Sequence, residues 1–122
     1  MRAFVVDDSP VMRMIFRKML MGLGAEVGET DDGQKALSHL EETGPPDVLL
    51  LDWSMPGMDG FTVLQKIRER PEWNGLRIVM VTGEEQTSSI DMVMSAGADA
   101  YLVKPFKLEE LKEKLVAFKL LN

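Results

Sequence analysis

Short apolar runs alternate along this chain with longer segments in which apolar residues recur at helical spacing. Ala3 to Val6, Ala25 to Glu29, Val48 to Leu51, Ile78 to Val81 and Ala100 to Val103 read as strands. Val48-Leu49-Leu50-Leu51 is apolar without a break, as expected of a central strand covered on both faces, whereas Ala25 to Glu29 is weaker and suits an edge.

The intervening segments carry helix signals. Ser9 offers an N-cap and Pro10 a first-turn residue for a helix to about Met21, ended by Gly22 and Gly24. Asp31 or Asp32 can cap the next, Gly33 to about Glu42, which stops before Gly44-Pro45-Pro46. Gly60 to Arg70 carries Phe61, Leu64 and Ile67 at helical spacing and is closed by Pro71. A fourth helix is expected from Glu84 to about Ala96, and Leu108, Leu111, Leu115 and Phe118 mark the apolar stripe of a fifth. Strands and helices in strict alternation predict an α/β fold: a flavodoxin-like, doubly wound, five-stranded parallel sheet of order 2-1-3-4-5 with five helices.

In such a sheet the C-terminal ends of the strands share one edge, so polar residues that close separate runs meet in space. Asp7-Asp8, Asp52, Thr82 and Lys104 all stand at such ends. Carboxylates packed together raise one another's pKa values, so the cluster calls for a cation. Oxygen ligands without Cys or His favour Mg²⁺ or Mn²⁺.

Composition narrows the classes. The 122 residues match one domain, residues 1–122, and a 45% hydrophobic share fills a single core. With no Cys, disulfides, thiolate metal sites and cysteine nucleophiles are excluded, which fits a reducing compartment. The N-terminal run reaches Asp7 before a signal-peptide core could form, and no apolar run approaches a membrane span, so a cytoplasmic protein is expected. A net charge of −6 argues against direct nucleic-acid binding.

Taken singly, the site residues are ordinary. An Asp after a strand is usually a helix cap, Thr82 could be a strand-end cap, and a lone Lys is commonly solvated. Their joint order is not ordinary. Asp7-Asp8, then Asp52 with Met55-Pro56-Gly57-Met58-Asp59-Gly60, then Thr82-Gly83, then Lys104-Pro105-Phe106 resembles a response-regulator receiver domain, above all the stand-alone, CheY-like type. Asp59-Gly60 is read as turn and cap.

The resemblance implies that Asp52 accepts a phosphoryl group from a histidine kinase or histidine phosphotransfer protein. Asp8, Asp52 and the Ser54 carbonyl are implied as direct Mg²⁺ ligands, with Asp7 acting through water. Lys104 and Thr82 are implied to stabilise the phosphoryl oxygens, and Pro105 to follow a cis peptide bond. Thr82 and Tyr101 are implied as the switch, Ser54 and Glu84 as positions that tune hydrolysis, and helix four, strand five and helix five as the face that binds a target. Many such receivers carry an amide where Ser54 stands, so this position is a departure. The protein is expected to be a monomeric, chemotaxis-like shuttle that catalyses only its own phosphorylation and dephosphorylation.

The first helix carries Val11, Met12, Met14, Ile15, Phe16, Met19, Leu20 and Met21, more apolar residues than one core stripe needs, which suits either docking or a generous core. His39, the only histidine, is expected to be ordinary surface. Three other readings stay open on the residues alone. One is a receiver cut from a longer response regulator with an output domain. A flavin mononucleotide binder shares the fold class but lacks its phosphate loop here, since Asp7-Asp8 would repel phosphate. A haloacid-dehalogenase-type phosphatase shares the Asp nucleophile but wants its paired Asp residues one apart.

Overall fold

A computed structural model describes residues 1–122, the side chain of Thr87 excepted. Five strands, β1 (Arg2–Val6), β2 (Glu26–Thr30), β3 (Val48–Asp52), β4 (Arg77–Thr82) and β5 (Ala100–Val103), form one sheet of order β2-β1-β3-β4-β5. Every pairing is parallel. Five α-helices alternate with them: α1 (Pro10–Gly22), α2 (Gly33–Thr43), α3 (Gly60–Arg68), α4 (Ile90–Ser95) and α5 (Leu108–Ala117).

Alternation along the strands divides the core into two layers. Phe4, Val6, Leu49, Leu51, Ile78 and Met80 face α2, α3 and α4, meeting Leu40, Leu64, Ile67 and Val93. Ala3, Val5, Leu50, Val79, Val81 and Leu102 face the other way, meeting Phe16 and Leu20 of α1 and Leu111 and Leu115 of α5. All five residues of β3 are buried. Each leucine there contributes roughly 2 kcal/mol by leaving water, which offsets the cost of holding a carboxylate, Asp52, at the strand's buried end.

Helix starts follow the expected chemistry. Ser9 Oγ accepts from the Met12 N–H, Asp32 from Lys35 and Asp59 from Thr62. Asp31 pairs instead with Lys35 at 3.2 Å. Two helices depart from expectation. The third stops at Arg68 and is followed by a 3-10 turn, Pro71–Trp73, because Pro71 cannot continue the ladder. The fourth is α-helical only from Ile90; Glu84–Ser89 forms a 3-10 segment. Its polar side chains compete for the backbone, as Gln86 does by accepting from the Gly83 N–H. His39 is also not ordinary surface: its ring stacks on Phe4 with centroids 4.3 Å apart, because α2 lies over the β1 face.

Candidate functional site

Register brings the strand ends to one edge. Asp52 lies opposite Val81 and Thr82 opposite Val103, so β3, β4 and β5 end side by side, with Asp7 one residue beyond Val6 of β1. The chain leaving each strand is tied down: the Trp53 N–H donates to the Val81 carbonyl at 3.0 Å and the Lys104 N–H to the Thr82 carbonyl at 2.7 Å. Gly60 packs against the turn after β3 so closely that a Cβ there would collide with the Asp52 carbonyl. That residue must therefore be glycine.

Asp7 is buried, and its carboxylate accepts the Ser9 N–H at 2.9 Å and the Lys104 ammonium at 3.1 Å. The same ammonium lies 3.1 Å from Oδ1 of Asp52. Arg13 of α1 donates to the Asp7 carbonyl at 2.7 Å and pairs with Glu29, bracing the turn after β1. Asp8 is exposed. One carboxylate oxygen from each of Asp7, Asp8 and Asp52 lies within 4.8 Å of the others. Two direct magnesium–oxygen bonds span about 4.2 Å, so this all-oxygen set fits a cation that keeps part of its water shell.

The electrostatics agree with a site short of positive charge. Burial first, and the Asp7 carboxylate second, push the Asp52 carboxyl up to about 6 against the pull of Lys104. Burial works against the Lys104 ammonium as well, but Asp52 and Asp7 outweigh it and hold the group above the ordinary lysine range. Thr82 is fully buried and its hydroxyl has no hydrogen-bond partner among the described residues. Such an orphan costs about 1–3 kcal/mol, and here it stands at the same strand edge as Asp52.

The remaining expected residues lie on the loops after β3 and β4 and on β5. Ser54 is exposed, and its hydroxyl accepts from Gln86 Nε2 at 2.7 Å. Glu84 is exposed at the start of the 3-10 segment. Tyr101 on β5 points outward, 37% exposed. Trp53 stacks on Phe61, and the Lys104-Pro105 peptide is cis. The ties made by Gln86 and Arg13 were not foreseen, since neither belongs to a recognisable motif.

The model of the response regulator receiver domain matches residues 3–116. The chain belongs to that family. Chemotaxis protein CheY-3 of Vibrio cholerae is 40% identical to this receiver over 116 residues, 94% of this chain and 88% of that protein. The crystal structure of V. cholerae CheY4 superposes with a TM-score of 0.86 at 31% identity, covering 96% of this receiver and 97% of CheY4. The receiver domain of the sensor histidine kinase PA1611 from Pseudomonas aeruginosa, solved with a magnesium ion coordinated in its active-site cleft, matches with a TM-score of 0.85 at 29% identity over 96% of this chain and 95% of that one.

The receiver is thus a two-component signalling module homologous to the chemotaxis response regulators, and the flavin-binding and phosphatase readings fall away. Receivers of this type work with a histidine kinase and a downstream target. Among the described residues, no helix is long and apolar enough to cross a membrane.

Proposed function

We propose that the chain is a single receiver domain in which Asp52 accepts a phosphoryl group from a phosphohistidine on a kinase or phosphotransfer protein. The observation that carries this is the pairing of a buried carboxylate, Asp52, with the Lys104 ammonium beside the unpartnered Thr82 hydroxyl. An Asp52 oxygen bonds to phosphorus as the P–N bond to the donor imidazole breaks, with the electron pair leaving on nitrogen. Lys104 neutralises charge on one phosphoryl oxygen, and Thr82 gains the acceptor it lacks by donating to another.

Asp8, Asp52 and the Ser54 carbonyl would hold Mg²⁺ or Mn²⁺ directly, and Asp7 through water; support comes from the clustered carboxylates and from the magnesium in the PA1611 receiver. The bound cation supplies charge neutralisation where the phosphoryl oxygens gather. Ser54 and Glu84 flank the acyl phosphate and tune its hydrolysis, so the protein catalyses its own phosphorylation and dephosphorylation and no other turnover.

Output runs through Thr82 and Tyr101. Movement of Thr82 toward the phosphoryl group opens space into which the exposed Tyr101 ring can turn, which changes the α4-β5-α5 face. That face exposes Met92, Met94, Leu108 and Val116, in keeping with a protein target. On α1, Val11, Met14, Ile15 and Met21 are exposed and offer the phosphodonor an adaptable surface. The chain acts as a cytoplasmic, monomeric, chemotaxis-like shuttle without direct nucleic-acid contact or membrane insertion. The match over most of CheY-3 supports the chemotaxis-like reading.

Trp53 reports on the site because it directly follows Asp52. Its fluorescence should change on adding Mg²⁺ and again with beryllofluoride; no response to either would count against the proposal.

A further inference from the structure

Gln86 joins the two loops that flank Asp52. Its Oε1 accepts from the Gly83 N–H at 3.0 Å, and its Nε2 donates to Ser54 Oγ at 2.7 Å. The orientation of the carboxamide is set by chemistry: a backbone N–H can only donate, so the oxygen must face Gly83 and the NH₂ must face Ser54. A single side chain thereby ties the residue after Thr82 to the residue two beyond Asp52. The tie forms one wall of an open pocket of about 490 Å³, lined also by Trp53, Met55, Pro56 and Asp59, along the loop that follows Asp52.

We propose that Gln86 is a positioning residue for the lifetime of the acyl phosphate. It fixes the Ser54 hydroxyl and the Gly83 loop so that water does not reach phosphorus in a reactive alignment. The inference rests on Asp52 being the phosphoacceptor. In the hydrolysis it restrains, a water oxygen bonds to phosphorus and the P–O bond to Asp52 breaks. The electron pair returns to the carboxylate, and the water's proton passes to solvent as inorganic phosphate leaves. The restraint depends on an exposed side-chain bridge, so its loss should change a rate without unfolding the sheet.

The test uses the full chain phosphorylated with acetyl phosphate and Mg²⁺, freed of donor, with loss of the phosphoryl group followed by intact mass. Gln86→Ala and Gln86→Leu should lose it about three- to tenfold faster than the wild type, the range expected for one or two hydrogen bonds. Both variants should stay folded, with a melting temperature lowered by about 5 °C at most, and Trp53 fluorescence should still respond to Mg²⁺. Because Gln86 acts partly through Ser54, the Ser54→Ala/Gln86→Ala double variant should be less than multiplicatively faster than the two single variants. An unchanged lifetime in both Gln86 variants, or fully multiplicative effects in the double variant, overturns the inference while leaving Asp52 as acceptor. A wild-type chain that takes up no phosphoryl group overturns both.

Discussion

The Lys104 ammonium and the Asp7 carboxylate are paired at 3.1 Å although 97 positions separate them in the chain. The pair closes the sheet edge from β1 to β5, and the same ammonium reaches Asp52 between them. Lys104→Met should leave the buried carboxylates of Asp7 and Asp52 without their shared ammonium. Phosphoryl gain from acetyl phosphate should slow by about 10²-fold, the cost of removing one charge-stabilising donor. Initial rates by intact mass check this, and a rate within twofold of wild type would show that Lys104 has no part in transfer.

The raised Asp52 carboxyl makes a signed prediction for stability against pH. A group with a folded pKa near 6 and an ordinary value of 3.8 holds a proton in the fold that the unfolded chain has already lost. Its favourable contribution is complete below pH 3.8 and disappears as pH rises through 6. Asp52→Asn cannot ionise. In chelator-treated buffer its stability advantage over wild type should therefore grow from pH 4 to pH 6 and level off above. After a discount for screening, the gain is on the order of 1–2 kcal/mol. Denaturant melts across that range test it, and an advantage independent of pH would contradict it.

Thr82→Val removes a buried hydroxyl that has no partner among the described residues, while keeping its shape. The unphosphorylated protein should gain about 1 kcal/mol in stability, and the Trp53 response to beryllofluoride should weaken. A variant that is less stable and still responds fully would mean that the hydroxyl has a partner in solution.

At the opposite ends of the strands, Arg68 donates to the carbonyls of Gly97, Trp73 and Leu76 and to Asp99. Asp99 also accepts the Ile78 N–H at 2.8 Å. Arg68→Ala strips four acceptors at once and should cost about 2–4 kcal/mol. Below its lowered melting temperature the variant should still accept a phosphoryl group, because the clamp is remote from Asp52. Loss of acceptance in a folded sample would contradict this separation.

Periodicity carried the architecture, and with it the strand edge where Asp7, Asp52 and Lys104 meet. The unbroken apolar run of β3 places Asp52 at a central strand's end, and the shared strand edge follows from parallel order. The division of roles proposed for Asp7, Asp8, Thr82 and Lys104 comes from the family resemblance and not from the pattern. What escaped was contact information. Nothing in the pattern indicates that Gln86 meets Ser54 or that Arg68 reaches Gly97, since these bonds depend on where loops lie after packing. The 3-10 start of the fourth helix escaped for a local reason: a polar stretch compatible with helix was diverted by a side chain capping its own turn.

The central claim is that Asp52 is the phosphoacceptor. Intact-mass spectrometry after incubation with Mg²⁺ and acetyl phosphate tests it most directly. The wild type should gain one phosphoryl group and Asp52→Asn none. A phosphoryl gain that persists in Asp52→Asn would contradict the account.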